Sequence, residues 1–242
     1  MTIRVFENPV EAAAAVAHRL IDAIRAKPSL TLGLPAGRTP IPAYAELRRL
    51  NRQGAISLAG TRTFNLDEFV GLRADDPRSF RHFMEANLFE GTDLPPASIE
   101  FLDGAAHDLD AECRRYEAAI AGAGGIDLQL VGIGINGHIG FNEPGDRLMA
   151  DTHRVDLRPE TRLANIEQFG GRLAAVPHQA LTMGMGTILR AKAIVLVATG
   201  ESKAEVIARA VREPLTTHLP ASFLQTHRSV ELYLDRAAAA GF

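Results

Sequence analysis

Residues 127–145 read DLQLVGIGINGHIGFNEPG, and the fold turns on how this stretch divides. Its first half, 127–133, is an apolar run rich in Leu, Val and Ile, the pattern of a strand buried on both faces. Its second half carries glycines at 132, 134, 137, 140 and 145, a proline at 144, and the polar side chains of Asn136, His138 and Glu143. A core strand thus runs into a glycine-rich loop holding an amide, an imidazole and a carboxylate. In an open parallel sheet, ligands bind at the loops that follow the carboxyl ends of strands. Gly132, Gly134 and Gly137 also spell G-x-G-x-x-G, with Asp156 about 20 residues on, as a dinucleotide fingerprint requires. That fingerprint needs its third glycine to open a helix. Here Phe141-Asn142-Glu143-Pro144-Gly145 follows and breaks one, which argues against a nicotinamide site.

Outward from this stretch, strand patterns alternate with helix patterns. Strands are expected at 3–6, 30–34, 62–66, 99–102, 153–157, 193–199 and 230–234. Helices are expected at 9–27, 40–52, 79–89, 108–121, 184–190 and 200–212. The stripe Phe80, Phe83, Met84 and Leu88 has helical spacing and reads as core. No repeat or low-complexity linker interrupts the alternation. The expected fold is one α/β domain over 1–242, a three-layer α/β/α, Rossmann-like unit with a mostly parallel central sheet. The polar run 159–177, with Gly170-Gly171 in its middle, is the least regular part and has the character of a lid.

Four chemical features fall at strand ends or helix starts. Residues 35–40, PAGRTP, form a turn in which Thr39 is placed to cap a helix beginning at Pro40. With Gly37 and Arg38 this makes an anion site of free N–H groups, helix dipole and guanidinium, although a plain strand-to-helix turn needs nothing beyond the cap. Asp67 and Glu68 follow the strand at 62–66, where a carboxylate can transfer protons; a solvated turn is the bland alternative. The loop carrying Asn136, His138 and Glu143 is the third feature. Lys203 is the fourth: a cation in the first turn of a helix opposes its dipole, and fits better facing an anion. Together they suit proton abstraction beside a carbonyl on a small phosphorylated molecule, with no metal and no organic cofactor.

The rest of the chain excludes other classes. Its 242 residues are 46% hydrophobic, enough for one large core, and carry a formal net charge of −3. The pI of about 6.2 and the lack of a basic stripe give no case for nucleic acid. Cys113 is the only cysteine and reads as a packing residue. Eight histidines contain neither H-E-x-x-H nor a Cys/His cluster at ligand spacing. Without a signal-type apolar run or a span of roughly 18 apolar residues, a cytoplasmic protein away from membranes is expected.

Seven blocks carry a resemblance. They are LGLPAGRTP (32–40), FNLDEFVGL (64–72), DLQLVGIGINGHIGFNEPG (127–145), TRLAN (161–165), ALTMGMGTIL (180–189), TGESKAE (199–205) and PASFLQTH (220–227). In this order the chain resembles the shorter bacterial members of the glucosamine-6-phosphate deaminase family over nearly its whole length. The resemblance implies conversion of glucosamine 6-phosphate and water to fructose 6-phosphate and ammonia. His138, assisted by Glu143 and Asn136, would open the pyranose ring, and Asp67 would move the C2 proton toward C1. Gly37, Arg38, Thr39 and Lys203 match positions around the 6-phosphate. One departure stands out: Glu167 occupies a position where the family usually has a phosphate-binding arginine. Arg38, where the family usually has a small residue, or Arg172 would have to supply the missing charge. The chain is also shorter than the allosterically regulated hexameric members, so activation by N-acetylglucosamine 6-phosphate is not expected; a homo-oligomer is left open. Three rival readings are galactosamine-6-phosphate deamination, lactone hydrolysis as in 6-phosphogluconolactonases, and a non-catalytic sugar-phosphate sensor. The Phe141-Asn142-Glu143-Pro144 continuation and Asn65-Leu66-Asp67-Glu68 favour the deaminase over the lactonase, intact Asp67, His138 and Glu143 argue against the sensor, and TGESKAE and PASFL are compatible with either epimer.

Overall fold

A computed structural model describes residues 1–242. Ten strands form in chain order: β1 (Thr2–Phe6), β2 (Thr31–Leu34), β3 (Arg62–Asn65), β4 (Asp67–Phe69), β5 (Ile99–Glu100), β6 (Leu128–Val131), β7 (His153–Asp156), β8 (Gln179–Thr182), β9 (Ala193–Ala198) and β10 (Val230–Asp235). Seven of them make one sheet in the order β1-β10-β9-β6-β2-β3-β5, and every neighbouring pair is parallel. The chain builds from β2 toward β3 and β5 on one side, then returns to β6 and builds toward β9 and β10 on the other. The strand order therefore reverses between β2 and β6, which pair through Leu32–Leu128 and Gly33–Gln129. The crevice outside such a reversal is where open α/β sheets bind ligands.

The helices cover both faces of this sheet. On one side lie α1 (Pro9–Ala26) and α2 (Ile41–Arg52). The Asn8 side chain caps α1 by accepting from Glu11 N at 3.0 Å, and Pro9 tolerates the first helical position because no N–H is needed there. Leu20, Ile21, Tyr44 and Leu47 of these helices pack on Leu32, Leu128 and Leu130. On the other side lie α4 (Leu109–Gly122) and α7 (Ala204–Arg212), whose Tyr116, Val206 and Ile207 pack on Phe64, Val131 and Leu196. Alternation along β6 sends Leu128 and Leu130 to the first layer and Val131 to the second. Burial on both faces is why this strand is rich in apolar residues, Gln129 being the buried exception. Cys113 is buried within the second layer.

Two features depart from the expected outline. A second, antiparallel sheet β4-β8-β7 stands beside the main one. The expected helix at 79–89 is α3 (Phe80–Met84), capped by Ser79, and it loosens into a π-helical turn over Glu85–Phe89. Between α3 and the small sheet sits a third apolar cluster in which the Phe69 ring lies 4.6 Å from Phe80 and 5.2 Å from Phe169. A further short helix, α5 (Pro159–Ala164), leads into 3-10 turns at Ile166–Phe169 and Leu173–Ala175, and α6 (Met185–Leu189) follows β8. No helix is long and apolar enough to cross a membrane.

Candidate active site

A cleft of about 730 Å³ opens at the strand reversal. The loops after β2 and β6 form its floor, and Asp67, α5 and the turn at Ile166–Phe169 form its walls. Gly37, Arg38, Thr39, Asp67, Asn136, His138 and Lys203 all line it. Residues more than 160 positions apart are thus gathered by the topology rather than by any local motif.

Asp67 is the first residue of β4 and is 7% exposed. Its carboxylate accepts no hydrogen bond from the protein. Burial, and then the neighbouring Glu68 carboxylate, push its pKa up to about 8. Successive side chains of a strand point to opposite faces, so Glu68 turns away from the cleft. Its carboxylate accepts from the backbone N–H groups of Phe69, Phe80 and Arg81 at 2.8, 3.0 and 2.9 Å. Burial pushes the Glu68 pKa up as well, but those three N–H groups hold it to about 7. The pair that looks symmetrical in sequence is therefore split. Glu68 closes off the start of α3, and Asp67 alone faces the cleft as a carboxyl poised near neutral pH, the property a general base needs.

The loop after β6 builds the second group. Asn136 accepts from the His138 backbone N–H at 3.2 Å and donates through Nδ2 to Glu143 Oε2 at 3.0 Å. Glu143 Oε2 stands 3.5 Å from His138 Nδ1, and its other oxygen accepts from Arg158 N at 3.3 Å. Burial alone would raise the Glu143 pKa. Hydrogen bonds from His138, Thr161 and Asn136 outweigh burial and hold it down at about 2. A permanently ionised carboxylate thus orients Nδ1, leaving Nε2 as the nitrogen available to a ligand. Gly134 makes room for the ring: a Cβ there would collide with His138 Cε1 and Nε2.

Around the anion turn, the structure corrects the expected helix start. Helix α2 begins at Ile41, Pro40 occupies the cap position, and no side chain, Thr39 included, caps it. The turn instead closes through Ile41 N to Arg38 O at 3.2 Å. Gly37 takes φ +110°, a region disfavoured for residues with a Cβ. The N–H groups of Gly37, Arg38 and Thr39 make no hydrogen bond within the chain. Three free donors at the start of a 12-residue helix suit an anion better than a cap would. Lys203 stands at the cap position of α7, after a 3-10 turn at Glu201–Lys203. Its Nζ donates to Ile133 O at 2.8 Å, and burial lowers its pKa. An ammonium has three donors, so two of its three remain for a ligand.

Arg172 does not belong to this group. It is exposed and does not line the cleft. Phe169 is buried against Phe69, and Gly170 and Gly171 then take left-handed conformations that turn the chain away. Arg38 is the residue that answers Glu167: its Nη2 pairs with Glu167 Oε2 across the cleft. Sequence reasoning passed over Thr161. It is 2% exposed, and its hydroxyl lies 3.5 Å from His138 Nδ1. Its place in the TRLAN block was the available signal.

Residues 8–233 match the family model described as glucosamine-6-phosphate isomerases/6-phosphogluconolactonase. The glucosamine-6-phosphate deaminase of Rhodopirellula baltica is 48% identical over 237 residues, covering 98% of this chain and 94% of the relative. That of Halothermothrix orenii is 43% identical and covers 99% of each. Among solved structures, a monomeric glucosamine-6-phosphate deaminase superposes with a TM-score of 0.96 at 40% identity over the full length of both chains. The 6-phosphogluconolactonase of Trypanosoma brucei, at 23% identity and a TM-score of 0.75, shares the fold.

Proposed function

Because the chain belongs to the family of glucosamine-6-phosphate isomerases and 6-phosphogluconolactonases, we infer that it acts on an amino-sugar phosphate. In this reading it converts glucosamine 6-phosphate and water to fructose 6-phosphate and ammonia. The observation that carries this reading is the cleft at the strand reversal. There a near-neutral carboxyl, Asp67, shares one wall-to-wall space with a carboxylate-oriented imidazole and a turn of free N–H groups.

The division of labour implied by the family resemblance is compatible with this geometry. The 6-phosphate is held by the N–H groups of residues 37–39, by Arg38 and by Lys203, which fixes the sugar's orientation. His138 Nε2 accepts the proton of the C1 hydroxyl and passes it to the ring oxygen as the C1–O5 bond breaks, while Glu143 and Asn136 keep the imidazole aimed. Ring opening exposes the C1 aldehyde, and that carbonyl acidifies the C2 proton. Asp67, ionised, takes the proton from C2 and returns it to C1. This leaves an imine at C2, water adds across the C=N bond, and ammonia departs. The substrate's own carbonyl serves as electron sink. Thr161, Asn165 and Glu167 line the cleft and buried Phe169 anchors the segment, which supports reading 159–177 as a cover of the site within a single domain.

The test is ammonia and fructose 6-phosphate formation from glucosamine 6-phosphate, with galactosamine 6-phosphate in parallel and Asp67→Asn as control. Ammonia from the glucosamine ester, lost in Asp67→Asn, is the expected outcome. Ammonia from the galactosamine ester alone would move the substrate to the other epimer. No ammonia from either would end the deaminase reading.

A further inference from the structure

The mouth of the cleft holds a contact that the reaction itself does not require. Arg38, on the turn with Gly37 and Thr39, donates to Glu167 on the opposite wall. Both side chains are largely exposed, 75% and 68%. An exposed ion pair shifts an equilibrium by only about 1.4- to 5-fold, so this one opens readily.

Glu167, however, is not free to withdraw. It lies two residues before Phe169, which is 3% exposed and packed on Phe69. The intervening Gln168 donates to Arg78 O at 2.7 Å. The backbone carrying the carboxylate is thus pinned beside the cleft whether or not Arg38 is paired with it. The lining is also short of positive charge. Besides His138, its cations are Arg38 and Lys203, and Lys203 already donates to Ile133 O. Three carboxyl side chains, Asp67, Glu160 and Glu167, face the same space. An anion settling on the free N–H groups of residues 37–39 must take Arg38 from Glu167, and it then sits beside a carboxylate held in place.

We propose that Glu167 is an internal competitor for the anionic end of the ligand, occupying the Arg38 guanidinium before the phosphate arrives and thereby setting how tightly the phosphate is held. The phosphosugar assignment rests on the function proposed above. Substrate and product carry the same 6-phosphate, so the competition weakens both equally. It raises KM without touching the barrier of the chemical step, and it eases product release.

The experiment measures the Kd of inorganic phosphate by calorimetry for the wild type, Glu167→Gln, Arg38→Ala and the double variant, with KM for glucosamine 6-phosphate in parallel. Both side chains are exposed, so folding is not at stake. Glu167→Gln frees Arg38 and removes a repulsion, and should tighten phosphate and lower KM about three- to tenfold. Arg38→Ala should weaken phosphate, and in that background the gain from Glu167→Gln should shrink. A phosphate Kd in Glu167→Gln that is unchanged or weaker overturns the proposal, as does a gain of equal size with and without Arg38. The expected phosphate pattern in a protein that makes no ammonia would uphold this inference while refuting the proposed reaction.

Discussion

Replacing Asp67 by Asn should make the protein more stable and catalytically inert, and the stability gain should depend on pH in a defined way. Asp67 has its pKa raised from the ordinary 3.8 to about 8 by burial and by Glu68. Below about pH 4 the carboxyl is protonated in both folded and unfolded chains, and Asn, its neutral isostere, changes little. Between about pH 4 and pH 8 the folded chain keeps a proton that the unfolded chain has released. The folded state therefore binds more protons, and its stability falls as pH rises. Above about pH 8 the penalty of a buried charge is complete. At 1.36 kcal/mol per pKa step the ceiling is about 6 kcal/mol. With a urea m-value of about 3 kcal/mol/M, a penalty of that size moves the denaturation midpoint up by as much as about 2 M. Urea titrations of wild type and Asp67→Asn at pH 4, 6 and 9 provide the test. The two midpoints should nearly coincide at the lowest pH and separate progressively above it. A constant separation, or a variant less stable than wild type at pH 9, would refute the claim that burial of this carboxylate is what raises its pKa.

The same ionisation should govern the rate: kcat/KM for glucosamine 6-phosphate should rise about tenfold per pH step below pH 8 and level off above it, because only ionised Asp67 accepts the C2 proton. A profile flat between pH 6 and 9 would remove Asp67 from that role. Gly134→Ala should push the His138 ring from its place, since the new Cβ meets Cε1 and Nε2. A displacement of about 1 Å in a catalytic group lowers kcat on the order of 100-fold, so stopped-time assays of the folded variant at wild-type levels of activity would show that the ring does not depend on this glycine.

Much of this architecture is local in origin and therefore legible along the chain. The run at 127–133 is rich in Leu, Val and Ile because β6 is buried on both faces, with Gln129 the one polar side chain inside the strand. The stretch Phe141-Asn142-Glu143-Pro144-Gly145 excludes the helix that a dinucleotide loop would need, and it separates two readings of the same glycines. The cluster of Asn136, His138 and Glu143 is also local, held by hydrogen bonds that span seven residues or fewer. Their roles nonetheless came from the resemblance of whole blocks, since periodicity names no substrate.

Other features exist only in three dimensions. Asp67 and Glu68 are neighbours with the same chemistry. Only the strand pairing of β4 with β8 decides that one enters the cleft and the other meets the N–H groups of α3. β8 itself escaped notice because four residues, QALT, carry too short a pattern to register. Thr39 has the right chemistry for a cap, yet the turn closes through the backbone and leaves its N–H groups to a ligand. Arg172 and Arg38 looked equivalent as answers to Glu167, but two left-handed glycines turn Arg172 outward, while the strand reversal brings Arg38 across 129 positions to meet it. Hydrophobic period, turn chemistry and proline position act within a few residues, so the chain alone determined the layers and the loop that carries Asn136, His138 and Glu143. Burial, pKa and the pairing of distant charges depend on which surfaces the topology brings together, and only the folded structure decided those.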